Sequence, residues 1–186
     1  MDFTQLAHTC APSVNAELLA AIVRVESGFN PYAIGIVGDA LTRQPGSLTE
    51  AVATAQALTR DGFNFSIGLA QVNRTHFDRL SWSVDGRAGF EPCTNLQAAA
   101  QILQRCQASA LKKGYPATPT SSDPPTYTAT HAALSCYYAG DHLRGARLGY
   151  VARVLAAQAA QAAPAPHPIK PRGTLASMML DTHEPE

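Results

Sequence analysis

Glu26 is the residue whose chemistry most needs explaining. Leu19, Ile22 and Val23 precede it by seven, four and three residues, so on a helix the four side chains share one face. An apolar, core-facing stripe therefore ends in a carboxyl group. Burying a carboxylate without a partner is costly, so a group placed there resists ionisation and its pKa rises. The negative end of the helix works in the same direction. A carboxylic acid that stays protonated near neutral pH is what a general acid requires. A salt bridge to an arginine, or a carboxyl turned to solvent at the helix end, would produce the same pattern without chemistry.

Other reactive types are sparser. The six histidines are scattered and none has a partner at metal-site spacing. Gly35-x-x-Gly38 lacks the lysine and following helix of a phosphate loop, so no cofactor is implied. Asp39 and Asp61 each adjoin a glycine, which turn formation explains. Four cysteines stand at 10, 93, 106 and 136, with no C-x-x-C pair. Buried thiols and disulfides are both open readings. Cys93 and Cys106 flank one predicted helix, roughly 19 Å apart at 1.5 Å per residue, so they cannot pair with each other. Two bridges would then be 10–93 with 106–136, or 10–106 with 93–136.

The elements that must position these groups read as mainly helical. Asn15 suits an N-cap and Gly28 a C-terminal stop, which predicts a helix over 15–27. The stretch 33–46 is either a short hairpin or an irregular loop. Ser47 and Glu50 form a capping box that opens a helix to about residue 60. Residues 64–73 read as a mixed loop leading to a short helix near 75–80. Thr94 to Gln97 is a second capping box, opening a helix to about 113. Four prolines mark 116–125 as an exposed loop, and two further helices are expected near 127–139 and 148–162. From 163 to 186 five prolines and weak periodicity indicate a disordered tail after a domain of residues 1–162.

Composition narrows the classes. The chain has 186 residues, with 14 Lys+Arg against 14 Asp+Glu, which argues against nucleic-acid binding by bulk positive charge. Apolar residues make up 46%, too many for wholesale disorder, and no apolar run is long enough to span a membrane. The first residues carry neither a cationic start nor an apolar stretch, so no signal peptide is visible.

Three strings, in order, carry a resemblance. Glu26-Ser27-Gly28-Phe29-Asn30-Pro31, Gly68-Leu69-Ala70-Gln71-Val72-Asn73 and Tyr137-Tyr138-Ala139-Gly140 resemble the three motifs of the soluble lytic transglycosylases, within the lysozyme-like superfamily. Asn95-Leu96-Gln97-Ala98-Ala99-Ala100 looks like the helix start lying between the last two. Cys10-Ala11-Pro12, Asn30 to Gly35 and the double tyrosine after Cys136 are similar to the group found in type IV secretion systems. The resemblance covers roughly residues 10–155 and implies an all-α, lysozyme-like fold. It implies cleavage of the β-1,4 bond between N-acetylmuramic acid and N-acetylglucosamine with a 1,6-anhydro product. Such cleavage locally opens the wall for a secretion or conjugation channel, so a periplasmic site follows. The implied partners are peptidoglycan strands and secretion-system subunits.

By position in the motifs, Glu26 is the catalytic acid and base. Tyr137 hydrogen-bonds near it, and Gln71 contacts sugar through its amide. Ser66, Asn64 and Asn30 are lesser candidates for the substrate. Ala70 stands where the family has Met, which loosens one sugar contact, and Tyr138 stands where it has Asn. About forty residues separate the first two motifs, an insertion placed to reshape one wall of the cleft. A hydrolytic muramidase, with Asp39 or Asp61 as second carboxylate, and a glycan-binding scaffold module are the alternative readings.

Overall fold

The computed structural model describes residues 2–83, 85–119 and 126–162. The expected tail over 163–186 and the second half of the proline loop, 120–125, lie outside the described residues.

A long central helix organises the domain. Helices α1 (Phe3–Cys10) and α2 (Ala16–Ser27) lead to strand β1 (Ile34–Ile36), helix α3 (Leu48–Arg60) and strands β2 (Phe65–Ile67) and β3 (Val72–Asn73). A 3-10 turn over Arg74–His76 and short α4 (Phe77–Leu80) precede the 21-residue α5 (Pro92–Lys112). Then come α6 (Ala129–Ala139), α7 (Arg144–Arg147) and α8 (Tyr150–Ala162). The residues α5 buries include Leu96, Ala98, Ala99, Ala100, Ile102, Leu103 and Ala110, on more than one face. Small alanines let neighbours approach closely, so one helix serves four core clusters, the smallest of which sets Ala110 against Ala129 and Ala132 of α6. One cluster joins it to the sheet and α3, one to α1 and the start of α2, and one to α2, α6 and α8.

The mainly helical expectation holds, and several details differ. Helix α1 was not anticipated. Its signals are Asp2, whose carboxylate accepts from the Thr4 amide at 2.7 Å, and an apolar Phe3, Leu6, Ala7, Cys10 spacing. Strand β1 forms no local hairpin. It pairs antiparallel with β2, Gly35 opposite Ser66, across the whole α3 excursion, and β2 pairs with β3. Ser47 caps α3 by accepting from the Glu50 amide, but the Glu50 carboxylate takes the Gly46 amide at 2.8 Å and pairs with Arg43. Helix α5 starts earlier than its capping box suggested, with Pro92 in the first turn, where a missing N–H costs nothing. Thr94 therefore lies inside the helix, and the Asn95 side chain serves tertiary contacts.

Cysteine pairing is settled as Cys10–Cys93 and Cys106–Cys136, with Cα separations of 5.1 and 5.7 Å. The first ties α1 to the start of α5, and the second ties α5 to α6.

Candidate active site

Helix α2 delivers Glu26 as the stripe requires. Asn15 Oδ1 accepts from the Leu18 amide at 2.8 Å, and Gly28 ends the helix at φ 58°, a left-handed conformation glycine adopts without strain. Leu19, Ile22 and Val23 are buried. One turn later Glu26 lines a cleft of about 840 Å³ between the sheet and helices α5 and α6. Burial dominates its electrostatics and pushes the carboxyl up to about 7. Two weaker influences oppose burial: a hydrogen bond from Tyr150 and the charge of Arg153.

The Tyr150 hydroxyl donates to Glu26 Oε1 at 2.6 Å. Tyr150 is fully buried at the start of α8, and burial, then the Glu26 charge, push its own pKa up, so it remains a donor. Tyr138 stacks on its ring, with centroids 4.4 Å apart and planes 12° apart, and the Arg153 guanidinium lies 5.8 Å from the centroid.

The loop over residues 67–71 is pinned from four sides. Buried Asn95 donates to Ile67 O at 2.9 Å and Gly89 O at 2.7 Å, and accepts from the Ala70 amide at 2.8 Å. Ser27 Oγ donates to Leu69 O at 2.7 Å, and the Tyr137 hydroxyl donates to Ala70 O at 2.6 Å. Gln71 Nε2 donates to Ala33 O and Gly68 O, each at 3.0 Å. Gly68 is obligatory, because at φ 77° a Cβ would come within 2.3 Å of Asn95 Nδ2 and Gly89 O.

Glu26, Asn64, Ser66, Gln71 and Tyr137 all line the one cleft. Asn30 does not; its Oδ1 accepts from the Tyr32 amide at 2.9 Å and shapes the turn after Gly28. Tyr137 was expected to bond near Glu26, yet its hydroxyl is spent on Ala70 O and the bond to Glu26 comes from Tyr150. Gln71 was expected to donate and accept. Both its donors are committed to backbone carbonyls, of Ala33 and Gly68, so Oε1, which packs against Gly35, is the atom left for a ligand. Ser66 Oγ accepts from Asn73 Nδ2 at 3.2 Å. Ala70 is fully buried in the α1–α2–α5 core and is not among the residues lining the cleft.

The insertion contributes as expected in place, but its helix is a buttress. Ala51, Val52, Ala55 and Leu58 of α3 pack behind the sheet, while Gly35 to Gly38 form the cleft wall. Tyr150 and the stacked Tyr138 were missed as functional side chains. The available signal was a tyrosine on the apolar face of α8 with Val151 and Val154, since a buried hydroxyl needs a partner.

Among the described residues lining the cleft, Glu26 is the one carboxyl group. Asp39 is exposed and accepts from the Ala40 amide, and Asp61 caps the end of α3; neither lines the cleft. Among the described residues no three His, Cys, Asp or Glu side chains gather to hold a metal ion. The arrangement is thus a single acid, about half protonated at neutral pH, in a groove that also presents amide and hydroxyl groups.

The family model for the transglycosylase SLT domain matches residues 4–147, which contain the Glu26 helix, the pinned loop and Tyr137. The chain belongs to the transglycosylase SLT domain family. This SLT domain is 45% identical over 161 residues to the type IV secretion system protein virB1 of Brucella abortus biovar 1 and of Brucella suis biovar 1. Those alignments cover 84% of this chain and 63% of the relatives. It is 33% identical over 155 residues to protein virB1 of Rhizobium radiobacter, covering 82% of this chain and 59% of the relative. The chain therefore spans less than two thirds of the length of these curated relatives. No solved structure matches the SLT domain at a significant level. Its helices and small sheet fit the mainly helical, lysozyme-like fold of the family.

Proposed function

We propose that this SLT domain is a peptidoglycan lytic transglycosylase acting with a type IV secretion system. The observation that carries the reading is Glu26: the one carboxyl among the described cleft-lining residues, raised to about 7 and held by Tyr150.

In this mechanism the Glu26 acid protonates the glycosidic oxygen as its bond to C1 of N-acetylmuramic acid breaks. The resulting carboxylate then takes the proton from the C6 hydroxyl of the same sugar. The C6 oxygen closes on C1, giving a 1,6-anhydro end, and Glu26 is regenerated as the acid. The substrate supplies its own nucleophile, so one carboxyl suffices. Ordinary glycoside hydrolysis uses two carboxyls at a defined separation. Gln71 Oε1 accepts from an N-acetyl or hydroxyl donor, and Ser66 and Asn64 line the same wall. Tyr137 acts indirectly, by fixing the loop that carries Gln71.

The names of the virB1 relatives support the secretion-system assignment. Two disulfides support an oxidising, extracytoplasmic compartment such as the periplasm.

The test is mass spectrometry of purified peptidoglycan digested with the protein and with Glu26→Gln. Products with 1,6-anhydro ends, absent with the variant, are expected. Reducing ends in their place would mean hydrolysis and overturn the transglycosylase mechanism.

A further inference from the structure

Charge is unevenly placed in this formally neutral chain. The described lining of the main cleft holds three arginines, Arg79, Arg105 and Arg144, against the single carboxyl of Glu26. Arg79 and Arg105 are exposed on the wall formed by α4 and α5. Half-buried His76 lies within the fields of both. Arg79 Nη2 approaches His76 Nδ1 at 2.5 Å, and a guanidinium is always charged, so the arginine donates and the imidazole accepts. Burial first, then Arg79 and Arg105, keep the His76 pKa low, so the imidazole stays a neutral acceptor. Arg105 Nε donates to Gln101 O of its own helix. Among the described residues the one ion pair is Arg43–Glu50, and none of the three cleft arginines has a carboxylate partner.

Gathering like charges without counter-ions costs Coulomb energy, while a cleft lined by one sign concentrates field on an incoming opposite charge. A strand of N-acetylated sugars is itself uncharged. The acidic groups of the wall polymer are carried on the muramoyl lactyl ether. They are either the free lactyl carboxylate or the carboxylates of a peptide linked to it. Guanidinium groups bind carboxylates through paired N–H donors.

We propose that Arg79 and Arg105 form a carboxylate-binding subsite that selects glycan strands with an acidic muramoyl substituent. This rests on the glycan-cleaving reading of the same cleft and names its substrate class. Positive charge in the cleft then serves recognition, and Glu26 serves the chemistry.

The experiment compares wild type with Arg79→Gln/Arg105→Gln on three strand preparations: peptide-bearing strands, strands stripped by an amidase to the lactyl carboxylate, and peptide-bearing strands with carboxyls chemically amidated. Wild type should favour the acidic strands, with a preference that weakens as salt rises. The double variant should lose about tenfold in kcat/KM on acidic strands, as two exposed charge-assisted contacts allow, and match wild type on amidated strands. A larger loss on peptide-bearing strands assigns the peptide carboxylates, and a larger loss on stripped strands assigns the lactyl group. An equal loss on all three, amidated strands included, overturns the subsite. Binding of the same strands is also measured by calorimetry in a Glu26→Gln background. If wild type cleaves no strand, the enzymatic reading fails by itself. The binding arm still decides the subsite: tighter binding of acidic than amidated strands, abolished by the arginine changes, supports it, and no difference sinks it.

Discussion

The Tyr150 hydroxyl reaches across 124 positions of sequence to hold Glu26 Oε1 at 2.6 Å. Burial drives the Glu26 pKa up, and this bond restrains it by favouring the ionised form. The balance leaves the acid near 7, where it can give up a proton and take one back.

Tyr150→Phe removes the restraint and keeps the ring beneath Tyr138. The Glu26 pKa should then rise. A general acid works in its protonated form, so activity falls as pH climbs through its pKa. The alkaline limb of the pH–rate profile should move up by about one unit, the size expected for losing a hydrogen bond to a charged group. A limb that stays in place would show that Tyr150 does not tune the acid.

Glu26 also links stability to pH. Its folded value of about 7 lies above the ordinary 4.5, so the folded state holds the proton more tightly. The stabilising contribution is complete below pH 4.5, falls as pH rises through about 7, and is flat above. The loss is on the order of 3 kcal/mol. Glu26→Gln removes this dependence. The variant should be the more stable protein at pH 8, with a flatter melting temperature between pH 4.5 and 7. Parallel wild-type and variant melting curves across that window would contradict the buried-acid assignment.

Asn95 is the buried tie between α5 and the Gln71 loop. Asn95→Ala leaves the Ala70 amide and two carbonyls without their partner and opens a cavity. The expected cost is about 3 kcal/mol in chemical denaturation. Activity should fall even where the variant remains folded, because the loop is no longer fixed at Ala70. A well-folded Asn95→Ala protein with full activity would remove this tie from the site.

The two disulfides close loops of different length, 83 and 30 residues. Chain entropy assigns about 4.5 kcal/mol to the longer and about 3.5 kcal/mol to the shorter. Cys10→Ala/Cys93→Ala should therefore destabilise more than Cys106→Ala/Cys136→Ala in guanidinium titrations. Activity should follow the opposite order. Cys106 and Cys136 line the cleft and adjoin Tyr137 in chain or fold, whereas Cys10–Cys93 does not line it. Loss of activity confined to the Cys10–Cys93 variant would reverse that view.

What the sequence determined by itself is local. Helix α2, its Asn15 cap, its Gly28 stop and the stripe ending at Glu26 follow from spacing and capping, which act within a few residues. Ser47 likewise opened α3 where expected. The ordered motifs pointed to Glu26, Gln71 and Tyr137, with Ser66, Asn64 and Asn30 as lesser candidates, and all of these but Asn30 line the cleft. Tertiary structure decided the partners. Two cysteine pairings satisfied the spacing, and packing of α1 on α5 and α5 on α6 selected one. Strand β1 found β2 across the α3 insertion, because three extended residues carry too little pattern to name a distant mate. Tyr137 and Tyr150 are both tyrosines on apolar helix faces, and sequence alone pointed to the first as the neighbour of Glu26. Their hydroxyls were assigned by where α6 and α8 pack, one to the Ala70 carbonyl and one to the acid. A hydrogen bond is decided by ångström-scale placement, and that placement belongs to the folded chain.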